Sequence, residues 1–97
     1  MQVHITGRQV TITDAVREHI YEKIQRSLSG LTRVQDIQVT LELQKRTHTV
    51  GIVVTGKNHI HLEAEESSDN MYKSIDQAID KIERQLRKSR EKVQDHH

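Results

Sequence analysis

The sequence predicts an α+β domain in which a four-stranded mixed sheet carries two helices on one face. Apolar and polar residues alternate in four short segments, which is typical of strands, and apolar residues recur every three or four positions in two longer ones, which is typical of helices. The element order is therefore β-α-β-β-β-α. Because each amphipathic helix must bury its apolar side, we expect both helices to cover the same face of the sheet.

The first strand and the first helix occupy the first third of the chain. Val3 and Ile5 alternate with polar neighbours, which predicts a strand over residues 2–8. Thr13 is a suitable N-cap for the helix that follows, and the helix is expected to stop near residues 29–30. Its apolar positions are Val16, Ile20, Ile24 and Leu28.

Three more strands follow from alternating apolar residues. These residues are Ile37, Val39, Leu41 and Leu43, then Val50, Ile52 and Val54, then Ile60, Leu62 and Ala64. Pairing Leu43 with Val50, and Val54 with Ile60, keeps apolar side chains on one face and leaves two short loops. A right-handed crossover makes the first strand parallel to the second, and the remaining strands form an antiparallel meander.

The last helix is predicted from Asp69 or Asn70, either of which can cap it, to about residue 93. Its apolar stripe consists of Met71, Ile75, Ile79, Ile82 and Leu86. A second stripe, on another face, is cationic and consists of Lys81, Arg84, Lys88 and Lys92. We therefore expect one face of this helix to pack and another to meet an anion.

Charge is unevenly distributed along the chain. Residues 81–92 contain six basic and two acidic residues, a balance of 6 − 2 = +4, whereas residues 63–80 contain one base and six acids, a balance of 1 − 6 = −5. The net charge of the whole chain is only +1. Such polarity is informative about binding partners rather than about the fold.

Composition excludes several classes of function. The 97 residues contain no cysteine, and the start of the chain has no apolar run of signal-peptide length, so we expect one domain over residues 1–95 in a cytoplasmic protein without a membrane segment. His48, His59 and His61 lack the further ligands of a metal site. No nucleophile motif or phosphate-binding glycine loop is present. We expect no enzyme activity, no small-molecule substrate and no cofactor.

Phosphate recognition by basic side chains is the remaining hypothesis. The exposed face of the predicted sheet carries no aromatic residue on which single-stranded RNA bases could stack. The candidate RNA-binding residues are Lys23, Arg26, Lys45, Arg46, Lys81, Arg84, Arg87, Lys88 and Lys92. The alternative is a solvated helix in which Asp80 pairs with Arg84 and Glu83 with Arg87. Those pairs would leave Lys81, Lys88 and Lys92 without an acidic neighbour.

Two stretches of the chain resemble the bacterial ribosome hibernation-promoting factors, a family that includes the ribosome-associated inhibitors and sigma-54 modulation proteins. The first is Ile5-Thr6-Gly7-Arg8, with Val10, Thr13-Asp14-Ala15-Val16-Arg17 and Glu22-Lys23-Ile24. The second is Asn70-Met71-Tyr72-Lys73-Ser74-Ile75-Asp76, with Ile79-Asp80-Lys81-Ile82-Glu83-Arg84-Gln85-Leu86-Arg87-Lys88. His19 and Asn70 depart from the pattern, which often has an aromatic residue and Asp at these positions.

The resemblance implies a fold similar to double-stranded-RNA-binding domains and a partner in the small ribosomal subunit and its ribosomal RNA. Docked near the decoding centre, such a domain blocks messenger and transfer RNA and inhibits translation in stationary phase or starvation. The family's RNA contacts come from basic residues of both helices. At matching positions these are Lys23, Arg26, Lys81, Arg84, Arg87 and Lys88.

The chain resembles the short, tailless branch of that family. This branch acts with the separate ribosome modulation factor to form inactive ribosome dimers, and we expect the free protein to be monomeric. Three alternatives stay open: a ribosome-silencing paralogue that opposes dimerisation, a protein-interaction module that docks on complementary proteins or its own copies, and general binding to double-stranded RNA.

Overall fold

The computed structural model describes residues 1–28 and 33–95, with side chains as far as residue 88. The elements occur in the predicted order: β1 (Gln2–Arg8), α1 (Asp14–Leu28), β2 (Val34–Gln44), β3 (Thr47–Gly56), β4 (His61–Ser68) and α2 (Met71–Asp95). Residues 29 and 30, where α1 was expected to stop, lie outside the described residues. No helix in the described part of the chain has the length and apolar character needed to cross a bilayer.

The sheet has the strand order β1-β2-β3-β4, with β1 parallel to β2 and the other neighbours antiparallel, as predicted. Both helices cover one face, and a single aliphatic core fills the space between the two layers. Ile20, Ile37, Ile75, Ile79 and Ile82 are completely buried there. The opposite face of the sheet, here called the open face, has no covering element among the described residues.

The β2–β3 hairpin differs in register from the prediction. Val50 pairs with Leu41, not with Leu43. The strands are joined by the two-residue turn Lys45-Arg46, in which Lys45 has a φ of 58°. Two-residue hairpin turns need positive φ, which the sequence signals clearly only when Gly or Asn stands there. Because the error is two residues, the predicted side chains still face the core.

The β3–β4 hairpin is displaced in the same way. Val54 pairs with Leu62 rather than with Ile60. Asn58 and His59 form the turn, with φ of 60° and 63°. His59 therefore lies in the turn and not on a strand.

Both helices begin at side-chain caps. The Thr13 Oγ1 accepts a hydrogen bond of 3.2 Å from the backbone N–H of Val16, as predicted. Asn70, rather than Asp69, caps α2: its Oδ1 accepts the backbone N–H groups of Tyr72 and Lys73 at 2.9 and 3.3 Å. These bonds satisfy amide groups that have no partner within the helix.

Ser74 fixes the first turn of α2 to the sheet. Its side chain is completely buried, and its hydroxyl donates to the backbone carbonyl of His48 at 2.7 Å. The hydroxyl of Ser68 lies 2.6 Å from it. Because the hydroxyl is satisfied inside the core, it ties α2 to both β3 and β4 without leaving an unpaired polar atom.

Gly56 is required by the close approach of β3 to the start of β2. A Cβ at this position would lie 1.9 Å from the carbonyl oxygen of Arg33, which also accepts the N–H of Lys57 at 2.9 Å. We expect Gly56→Ala to lower the free energy of unfolding by about 1–3 kcal/mol, as other overpacked sites do. Urea denaturation followed by circular dichroism measures this change.

Gly51→Ala, on the same strand, is the matched control. A Cβ at Gly51 meets no atom within 4 Å. Because glycine inside a strand costs conformational entropy, this variant should equal the wild-type stability or exceed it by up to about 1 kcal/mol. Equal losses in the two variants would contradict the steric explanation.

Candidate nucleic-acid interface

Two polar contacts join α1 to α2 and define how the helices lie. The His19 Nε2 is 2.7 Å from the Asp76 Oδ1, and the Lys23 Nζ is 2.9 Å from the Asp80 Oδ1. The second contact lies four residues beyond the first on both helices, so the helices are side by side and parallel. Tyr72 packs edge-on against His19, with ring centroids 5.0 Å apart. Basic residues that follow these contacts on either helix must therefore emerge towards the same end of the domain.

Five exposed basic side chains among the described residues follow the Lys23–Asp80 contact, and the first of them on α2, Lys81, lies beside Glu66 of β4. The other four are Arg26 on α1 and Arg84, Arg87 and Lys88 on α2, and together they are called the helix-end patch. Arg26, Arg84 and Lys88 form no ion pair with any other side chain that the structure describes. The structure thus brings together four of the nine predicted residues from two separate helices.

Lys23 stands in a different environment. Only 23% of its side chain is exposed, and its ammonium group is held by Asp80. A phosphate would have to compete with this carboxylate for the ammonium group. Lys23 therefore contributes to helix packing and is less available to an anion than Arg26.

One predicted pair on α2 is wrong, and so is the expectation that Lys81 has no acidic neighbour. Asp80 binds Lys23 on the other helix instead of Arg84, which stays unpaired among the described side chains. Lys81 does have an acidic neighbour, because Glu66 of β4 lies 3.8 Å from its Nζ. The predicted pair of Glu83 with Arg87 is confirmed. Spacing along one helix cannot reveal a partner that another element supplies.

Lys45 and Arg46 lie at the other end of the domain. Their turn adjoins the end of β2. The end of β1 lies at the same edge of the sheet, because Arg8 is opposite Glu42 in the strand register. Both helices begin at this edge and run towards the opposite one. Lys45 and Arg46 are exposed, but they do not join the helix-end patch. The ninth predicted residue, Lys92, lies beyond the last described side chain.

The histidines considered for a metal site do not share a face. His48 is two residues from the buried Val50 on β3 and therefore lies on the helix side of the sheet. His61 is exposed on the open face. Within the described residues, no three histidine, aspartate or glutamate side chains come close enough to hold one ion. The Nε2 of His61 instead lies 3.1 Å from Glu63.

Sequence reasoning missed the contacts between the helices, although a signal was present. His19 and Lys23 are four residues apart on α1, and Asp76 and Asp80 are four residues apart on α2. Once both helices are placed on one sheet face, these matched spacings predict two parallel cross-helix pairs.

Comparison with known proteins gives concordant matches over nearly the whole chain. Residues 3–94 match the family described as sigma 54 modulation protein / S30EA ribosomal protein. The ribosome hibernation promoting factor of Escherichia coli K12 is 37% identical, over 99% of this chain and 100% of its own length. That of Azotobacter vinelandii is 37% identical, over 95% of this chain and 85% of its own length.

Solved structures agree with this relationship. A ribosomal subunit interface protein from Coxiella burnetii superimposes with a TM-score of 0.86 and 29% identity, covering 93% of this chain and 98% of its own. The N-terminal domain of Protein Y from Thermus thermophilus gives a TM-score of 0.82 and 28% identity, covering 91% and 98%. On the strength of the full-length match in sequence and fold, this chain belongs to the sigma 54 modulation protein / S30EA ribosomal protein family.

Proposed function

We propose that this protein is a ribosome hibernation factor. It binds the small ribosomal subunit in the decoding region through ribosomal RNA, occupies space needed by messenger and transfer RNA, and inhibits translation in the cytoplasm of starved or stationary-phase cells. It acts as a non-enzymatic monomer of one domain. Together with ribosome modulation factor it promotes inactive ribosome dimers.

The observation that carries this proposal is the full-length match, at 37% identity, to a ribosome hibernation promoting factor. The helix-end patch supplies the physical means. Arginine and lysine side chains that project from helices recognise the phosphates and shape of folded RNA without reading base sequence. In this proposal Arg26, Arg84 and Lys88 make the main contacts, while the carboxylate-paired Lys23, Lys81 and Arg87 contribute less.

A cell-free translation assay tests the proposed function. Added protein should inhibit synthesis in proportion to its occupancy of ribosomes and should displace labelled transfer RNA from programmed small subunits. The physical reason is steric, so the inhibition should be relieved by excess messenger and transfer RNA. Undiminished synthesis at saturating protein would contradict the proposal.

Sucrose gradients of the same reactions distinguish the two ribosome outcomes. Ribosome dimers that form when ribosome modulation factor and the protein are both present, but less with the modulation factor alone, support the dimer-promoting branch. Loss of dimers on addition of the protein would instead identify the paralogue that opposes dimerisation.

A further inference from the structure

The open face of the sheet contains a shallow trough that the main proposed ribosomal contacts, Arg26, Arg84 and Lys88, do not use. The trough has a volume of about 480 Å³. Cross-strand register places Thr40, Gly51 and Glu65 next to one another across its centre. The helix-end patch belongs to the helices on the other side of the sheet, so the two surfaces can be occupied at the same time.

Gly51 forms the floor of the trough, and the fold does not require a glycine there. Its φ is not positive, and an added Cβ would meet no atom within 4 Å. Glycine in a central strand weakens the sheet, and it is often found where a ligand or another backbone approaches closely. The bare backbone at Gly51 leaves space for such an approach.

The strands give the open face an excess of negative charge. This face carries one guanidinium, from Arg8, and four carboxylates, which is a charge balance of 1 − 4 = −3. The carboxylates belong to Asp36, Glu42, Glu63 and Glu65. Lys81 reaches the rim from α2, but it lies 3.8 Å from Glu66. A cationic ligand therefore complements this face, and a phosphate backbone is repelled.

Two further properties define the ligand. The trough lies along strands whose side chains alternate, which suits an extended chain better than a helix. The chain contains no phenylalanine or tryptophan, and its two tyrosines, Tyr21 and Tyr72, are both on helices. The open face thus offers no ring on which a nucleic-acid base could stack.

We propose that the trough binds an extended polypeptide segment rich in lysine or arginine. The segment's backbone lies over Gly51, and its cationic side chains reach Glu42, Glu63 and Glu65. This surface shares only Lys81, at its rim, with the proposed RNA contacts, and the protein can therefore hold RNA on its helix side and a basic protein segment on its open face.

A labelled nonapeptide of alternating lysine and threonine is a suitable probe, with binding followed by fluorescence anisotropy at low salt. Gly51→Val fills the floor of the trough, and Glu63→Gln with Glu65→Gln removes two charges without changing shape. Each variant should weaken peptide binding at least about fivefold. Because valine favours strands and the space is open, Gly51→Val should also keep or raise the melting temperature.

The matched control is Glu18→Gln with Glu22→Gln, two exposed residues of α1. It makes the same charge change on the helix side and should leave peptide binding within about twofold of wild type. Equal weakening by both double variants would overturn the proposal, because the attraction would then be non-specific. So would unchanged peptide binding in Gly51→Val. Binding of a single-stranded RNA by the wild type that this variant loses would also overturn it, because the trough would then be an RNA site.

Amide chemical shifts supply a second readout. Titration with the peptide should shift resonances of β2, β3 and β4 around Gly51 and leave those of Arg26 and Arg84 in place. Shifts confined to the helices would overturn the proposal, even if the affinities changed as expected.

Discussion

Replacing Arg26 and Arg84 with glutamate should weaken binding to small ribosomal subunits by about 100-fold or more. A hydrogen bond to a charged group contributes about 1.5–3 kcal/mol, so losing two removes at least about 3 kcal/mol, which corresponds to about a hundredfold in affinity. Reversal of charge adds repulsion from the phosphates. Co-sedimentation with purified subunits measures the loss, and inhibition of cell-free translation should fall in parallel.

The control for this variant is Arg17→Glu with Lys73→Glu. It also takes one exposed base from each helix, but from the half of each helix that precedes the Lys23–Asp80 contact. We expect its subunit binding to remain within about threefold of wild type. Melting temperatures of both double variants should match the wild type, since the residues are exposed and unpaired among described side chains. If the two double variants lose affinity equally, the helix-end patch is not the docking surface.

Binding to small subunits should also fall steeply with salt. Each phosphate that a basic side chain neutralises contributes about 0.7–0.9 to the slope of log affinity against log salt concentration. Arg26, Lys45, Arg46, Arg84 and Lys88 are the nominated bases without an ion pair among described side chains, which gives a slope of about −3.5 to −4.5. Raising monovalent salt from about 50 to about 200 mM should therefore reduce affinity about 100- to 500-fold.

The salt experiment needs a fixed magnesium concentration, so that the subunit stays folded throughout. The Arg26→Glu, Arg84→Glu protein should show a slope smaller in magnitude by about 2, because two phosphate contacts are gone. A slope near zero for the wild type would show that the subunit is bound through apolar or protein contacts instead of phosphates.

The sequence was sufficient to predict the order of elements, the shared face of the two helices and most of the core, although the buried Val34 and Ala78 were not predicted. Those features depend on periodicity, which is a local property of the chain. Strand register was less accessible, because Lys45 adopts a left-handed backbone conformation that lysine does not signal, and Asn58 signals a turn without showing that His59 is the second residue of it. Both registers were consequently displaced by two residues, an error that periodicity cannot detect since it leaves the faces unchanged.

Prediction of the candidate site was limited for a different reason. Which basic residues lie on the helices could be read from spacing, but which of them carry a carboxylate partner is decided by packing between elements. Asp80 reaches Lys23 across the helix pair, and Glu66 approaches Lys81 from a strand. The sequence also placed Lys45 and Arg46 in one list with the helix residues, although the topology puts them at the far edge of the sheet.

The length of β2 sets the separation between the Lys45-Arg46 turn and the helix-end patch. β2 has 11 residues and ends at the turn, so at roughly 3.3 Å per residue it fixes a span of about 36 Å along the sheet. Lengthening β2 and β3 by two residues each would move the turn outwards by about 7 Å and preserve every core-facing position. Relatives could thus differ in reach while sharing the same packed interior.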